Sequence, residues 1–125
     1  MKRVLVIDDE AGVREIIQLS LETAAGWQVL TADSGAQGIE IAQVEPLDVI
    51  LLDVMMPDQD GVVTFQQLQT DPKTADIPVI FLTAKARNTE LQRFTDLGVT
   101  GVITKPFEAR NLVRQIRAIL KDAPG

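Results

Sequence analysis

Four short runs of consecutive apolar residues punctuate the chain: Val4 to Ile7, Val49 to Leu52, Val79 to Leu82, and Val102 to Ile103. A weaker run covers Val29 to Ala32. These runs are rich in β-branched and aliphatic side chains and do not alternate with polar ones. That pattern predicts strands covered on both faces, as in a parallel sheet. The segments between them carry helical periodicity. Val13, Ile16, Ile17, Ser20, Leu21 and Ala24 form one face of a first helix, which Gly26 can end. Ser34 and Gln37 have capping-box spacing and open a second helix with Ile39, Ile41 and Ala42 as its apolar residues. Val62, Phe65 and Leu68 mark a third helix after Gly61. Leu91, Phe94 and Leu97 mark a fourth, closed by Gly98, and Leu112, Ile116, Ile119 and Leu120 a fifth.

Strand and helix thus alternate five times. Right-handed crossovers between parallel strands place helices on both faces, so the predicted fold is α/β: a doubly wound five-stranded parallel sheet in a three-layer sandwich. A length of 125 residues suits one domain, expected over 1–122, with 123–125 as a loose tail.

Composition narrows the chemistry. There is no cysteine and no histidine, which removes disulfides, thiolate catalysis, the commonest general base and the commonest metal ligand. Any chemistry must run on carboxylates, hydroxyls and lysine. The net charge of −6 argues against nucleic-acid binding by this domain, since a polyanion needs a basic footprint. The apolar runs are too short to span a membrane. Met1-Lys2-Arg3 leads into a short run closed by two acids, unlike a signal peptide, so a cytoplasmic location is expected.

Polar residues close the apolar runs: Asp8-Asp9 after the first, Asp53 after the third, Thr83 after the fourth, Thr104-Lys105 after the fifth. In an open α/β sheet the ligand site lies beyond the carboxyl ends of the strands, so these residues converge on one edge. Taken singly, each has a bland reading. Asp53 alone reads as a turn-capping aspartate, Asp8-Asp9 as a helix opener, Lys105 as a surface lysine and Thr83 as an ordinary strand residue. Taken together they form a set. Two carboxylates about 4 Å apart repel by roughly 4 kcal/mol at an effective dielectric near 20, so such a cluster is sensible around a divalent cation. All-oxygen ligands point to Mg²⁺ or Mn²⁺. The alternative is an acidic patch without metal.

The set Asp8-Asp9, Asp53 in LLDVMMPDQDG, Thr83-Ala84 and Lys105-Pro106-Phe107 resembles the response-regulator receiver family of two-component signal transduction. The resemblance runs from about Lys2 to Leu120. It implies a flavodoxin-like fold of five β-α units with strand order roughly 2-1-3-4-5. It implies that Asp53 accepts a phosphoryl group from a sensor histidine kinase or a phosphotransfer protein, and so switches binding to a downstream protein target. It implies Mg²⁺ held by Asp9, Asp53 and the backbone carbonyl of Met55, with Asp8 acting mostly through a metal-bound water. Lys105 and Thr83 would contact the phosphoryl oxygens, and the Lys105-Pro106 bond would be cis. Phosphorylation-dependent homodimerisation is left open.

One departure stands out. Many members carry an aromatic residue three positions before the lysine, which flips inward on activation; here that position is Val102. Met55 and Lys85 occupy positions that border the route of the hydrolytic water in similar receivers. Neither can act as a base near neutral pH, so slow dephosphorylation is expected. Arg110, Arg114, Arg117 and Lys121 line one side of the fifth helix, read as a solvated face ahead of a partner patch. Two other functions compete. A pseudo-receiver would bind partners without phosphorylation, but would be favoured by loss of one of these residues, and all are present. A phosphatase of the haloacid-dehalogenase type would place a second acid two residues after a first-strand nucleophile, whereas here Asp8 and Asp9 are adjacent and position 10 is Glu.

Overall fold

A computed structural model describes residues 2–56, 60–84 and 87–121. The order of elements is β1 (Arg3–Ile7), α1 (Ala11–Ala25), β2 (Gln28–Ala32), α2 (Gly35–Val44), β3 (Val49–Asp53), α3 (Gly61–Thr70), β4 (Val79–Thr83), α4 (Asn88–Leu97), β5 (Gly101–Thr104), a 3₁₀ turn (Ala109–Asn111) and α5 (Leu112–Leu120). Each apolar run became a strand. β3 and β4 extend by one residue to include Asp53 and Thr83. The five strands form one parallel sheet in the order β2-β1-β3-β4-β5, the doubly wound, flavodoxin-like arrangement expected. The expected tail 123–125 lies outside the described residues, as does Lys85.

The sheet separates two apolar layers. Leu5, Ile7, Ile50, Leu52, Val79 and Phe81 pack with Ala42 of α2, Phe65 and Leu68 of α3 and Phe94 of α4. Val4, Val6, Val49, Leu51, Ile80, Leu82 and Ile103 pack with Ile17 and Leu21 of α1 and Leu112 and Ile116 of α5. Consecutive strand residues therefore serve opposite layers, and the runs are apolar throughout because both faces are covered. Fully burying one such aliphatic side chain is worth about 1.5–3 kcal/mol. That outweighs partly exposed ion pairs such as Arg3–Glu45 (2.9 Å), a class worth about 1 kcal/mol or less.

Local signals explain the element ends. Gly26 and Gly98 close α1 and α4 in the left-handed conformation, with φ of 67° and 95°. The Ser34 hydroxyl accepts from the Gln37 N–H (3.2 Å), as the capping spacing predicts. The Gln37 side chain reaches back to the Asp33 N–H (2.8 Å), one residue beyond the usual reciprocal partner. Gly38 lets α2 approach the sheet: a Cβ there would lie 2.7 Å from Cγ1 of Ile7.

Two sequence readings need correction. The buried side of α1 is centred on Ile17 and Leu21, while Ile16 is 51% exposed and Ala24 faces solvent, so the apolar face expected from spacing is wider than the one the fold buries. The basic residues do not form one solvated side of a single helix. Arg110 lies in the 3₁₀ turn, and the Arg117 guanidinium stacks over Trp27, 5.5 Å from the ring centroid.

Thr64 is fully buried in α3, and its hydroxyl has no hydrogen-bond partner among the described residues. An unsatisfied buried hydroxyl is costly, and valine has nearly the same shape without it. Thr64→Val is expected to raise unfolding stability by about 1 kcal/mol, measured by urea denaturation. A loss of stability would show that the hydroxyl is satisfied in solution.

Candidate functional site

The site is assembled by strand parity. Val4 and Val6 face the α1/α5 layer, and Asp8 follows in the same alternation. Val49 and Leu51 face it, and Asp53 follows. Ile103 faces it, and Lys105 comes two residues later. The backbone holds these residues in register beyond the strand ends. The Asp8 N–H donates to the Ala32 carbonyl (3.1 Å), the Val54 N–H to Leu82 (3.0 Å), and the Lys105 N–H to Thr83 (2.8 Å). Thr83 continues the other alternation, after Val79 and Phe81.

Lys105 joins the two buried acids. Its Nζ lies 2.9 Å from Oδ2 of Asp8 and 3.5 Å from Oδ1 of Asp53. Asp8 is fully buried and Asp53 is 2% exposed. The other Asp8 oxygen accepts from the Glu10 N–H (2.9 Å), and Oδ1 of Asp53 accepts from the Met55 N–H (3.1 Å). Carboxylate oxygens of Asp8, Asp9 and Glu10 lie within 4.8 Å of one another, with Asp9 and Glu10 exposed. Asp53 connects to this cluster through Asp8 and the shared ammonium. The structure thus unites Asp8, Asp9, Asp53 and Lys105. Thr83 is buried at the end of the neighbouring strand, and Met55 is 55% exposed. The Lys105-Pro106 bond is cis, as the resemblance implies.

The electrostatics follow from this arrangement. Burial, and next the charge of Asp8, push the Asp53 carboxyl up to about 6, against the Met55 N–H and the Lys105 ammonium. Burial disfavours the charged form of Lys105. The hydrogen bond to Asp8 and the charges of Asp53 and Asp8 outweigh it, so its pKa lies above the ordinary lysine value. Lys105 therefore stays a cation, and Asp53 is mostly ionised at neutral pH. All the converging donors are oxygens, which suits a hard divalent cation.

The segment after β3 is held close. The Asp60 carboxylate caps α3 by accepting from the Val62 N–H (2.8 Å), and the Gly61 N–H donates to the Val54 carbonyl (3.0 Å). A Cβ on Gly61 would collide with the Asp53 carbonyl oxygen and lie 2.7 Å from Cα of Val54. Only glycine lets α3 begin against the backbone of the buried acid.

Two residues escaped the sequence reading. Glu10 occupies the N-cap position of α1, but its side chain makes no cap hydrogen bond, and its carboxylate joins the acidic cluster. Arg14 donates from Nη1 to the Asp8 carbonyl (2.7 Å). A run of three acids hinted at Glu10. No sequence pattern marks an arginine that binds a carbonyl. Val102 is half-buried against the α4-side layer, so the place of the flipping aromatic is filled by a short aliphatic side chain.

Comparison with known proteins agrees with this geometry. The family model described as "Response regulator receiver domain" matches residues 4–117. The Pseudomonas aeruginosa phosphate regulon transcriptional regulatory protein PhoB is 38% identical over 125 residues, covering 99% of this chain and 54% of that protein. The DNA-binding dual master transcriptional regulator RpaA of Synechocystis is 38% identical over 122 residues, covering 97% and 50%. The chain thus spans about half the length of the curated relatives it matches. Among solved structures, the Vibrio cholerae chemotaxis protein CheY4 superposes with a TM-score of 0.88 at 28% identity, covering 95% of this chain and 98% of that one. Receiver domains generally bind Mg²⁺ at an acidic pocket, and the Asp8-Asp9-Glu10 cluster could hold a metal. Sheet order, the charged rim and the sequence match lead to one assignment: the chain belongs to the response regulator receiver domain family.

Proposed function

We propose that Asp53 accepts a phosphoryl group from a sensor histidine kinase or phosphotransfer protein in a Mg²⁺-dependent (or Mn²⁺-dependent) reaction, and that this changes binding to a downstream protein. The observation that carries the reading is the buried carboxylate of Asp53 sharing the Lys105 ammonium with Asp8. An Asp53 oxygen would attack phosphorus as the bond to the donor breaks. Lys105, 3.5 Å from Oδ1 before transfer, would neutralise charge on the phosphoryl oxygens, and the Thr83 hydroxyl would donate to one of them. Asp53 is mostly ionised at neutral pH, which is the form that attacks. Asp8, Asp9, Asp53 and the Met55 carbonyl would hold the cation, with Glu10 beside them. When bound, the cation supplies neutralisation of negative charge during transfer.

The net charge of −6 disfavours nucleic-acid binding by this domain. No helix among the described residues is long and apolar enough to cross a membrane. The role fits a cytoplasmic location, and phosphorylation-dependent homodimerisation is compatible with it.

Incubation with acetyl phosphate and Mg²⁺, followed by intact mass measurement, is expected to show one added phosphoryl group. The addition should vanish in Asp53→Ala and in excess EDTA. Phosphate release without accumulation would instead indicate a hydrolase. No reaction in the wild type would indicate a binding module.

A further inference from the structure

The four polar backbone and side-chain atoms of Asp8 are each engaged. Its N–H donates to Ala32, one carboxylate oxygen accepts from the Glu10 N–H, the other pairs with Lys105, and its carbonyl accepts from Arg14. Ala32 belongs to the sheet, Glu10 to the turn itself, and Lys105 follows β5 directly. Arg14 alone reaches back from within α1. Its placement runs against local preference, because a cation near a helix N-terminus opposes the macrodipole. The turn carries the grouped carboxylates of Asp8, Asp9 and Glu10, yet among the described residues the Arg14 guanidinium hydrogen-bonds to a carbonyl, at 2.7 Å. A charge-assisted bond of that length is about twice as strong as a neutral one. It fixes the peptide plane between Asp8 and Asp9, and hence the direction in which the next two side chains leave the turn.

We propose that Arg14 is a positioning residue for the divalent-cation site, clamping the turn so that the Asp8, Asp9 and Glu10 carboxylates stay grouped. This rests on the cation-dependent reading above. Arg14 has two opposed effects on a bound cation. Its positive charge repels the ion, while its clamp keeps the ligands in place. The sign of the change on removing it therefore separates the two.

The test is Mn²⁺ binding, followed by loss of the free-ion electron paramagnetic resonance signal, in wild type, Arg14→Ala, Arg14→Lys and Asp9→Asn. A clamp predicts that Arg14→Ala weakens binding about tenfold, the low end for residues that orient metal ligands. Arg14→Lys, which keeps the charge and one donor, should recover part of the loss. Urea midpoints measured in EDTA report the fold separately, and Arg14→Lys is the variant to rely on if Arg14→Ala unfolds. Unchanged or tighter binding by a folded Arg14→Ala overturns the clamp. So does a lower urea midpoint with unaltered affinity, which would make Arg14 merely structural. If wild type binds Mn²⁺ no better than Asp9→Asn, the cation reading itself fails and the role of Arg14 falls with it. Normal wild-type binding beside an unaffected Arg14→Ala removes only the latter.

Discussion

Asp53→Asn is expected to stabilise the protein in EDTA at neutral pH and to leave it unchanged in acid. The sign follows from the raised pKa. An aspartate with an ordinary value of 3.8 in the unfolded chain and about 6 in the fold binds its proton more tightly when folded. Its stabilising contribution is complete below the unfolded value and is lost as pH rises through the folded one. The full difference corresponds to about 3 kcal/mol, and the open sheet edge brings the expectation to about 1.5–3 kcal/mol. Asparagine stands in for the neutral acid: its oxygen can still accept from the Met55 N–H, and Lys105 keeps Asp8. Urea midpoints for both proteins at about pH 7.5 and about pH 3 measure the gap, which should be open at the higher pH and closed at the lower. Added Mg²⁺ should narrow it by stabilising the wild type. A gap of equal size at both pH values would mean that the ionised acid is not what destabilises the fold.

Phe81→Ala is expected to cost about 3–5 kcal/mol, a large share of the stability of a domain this size. Phe81 is fully buried in β4, with its ring edge-to-face against Phe65 (centroids 5.5 Å apart) and Phe94 (5.1 Å), both at 84°. Removing it leaves a cavity and two unpartnered ring contacts. The loss should fall unevenly. Phe94 is the one fully buried residue of α4, with Leu97 only partly buried against the same layer, so α4 leans heavily on this contact. Amide hydrogen exchange in α4 should accelerate beyond the global change, and the urea midpoint should fall. A loss below about 1 kcal/mol would show that neighbouring side chains collapse into the space.

The strands were legible because continuous apolar runs, repeated five times between helical segments, fit a sheet covered on both sides. The acids and the lysine were legible because each interrupts such a run at the end where ligands gather. The facing of α1 was not. Its apolar positions span a wide arc, and packing against the sheet, rather than spacing, selects Ile17 and Leu21 over Ile16. Arg117 was misread for a similar reason: its partner, Trp27, is distant in sequence. The cis Lys105-Pro106 bond followed from the resemblance and not from the residues. Arg14 was invisible because any residue has a carbonyl to offer, so sequence cannot say which one an arginine will choose.

Strand alternation sends Thr83 toward one side of the sheet and the acids and lysine toward the other, although the Lys105 amide is tied directly to the Thr83 carbonyl. A guest held by both must straddle the rim like a clip over the edge of a card. Tightening such a clip displaces both sides at once. Through Phe81 the pull would reach Phe94, and through Lys105 the ground before α5, so helices in opposite layers would answer to a single event.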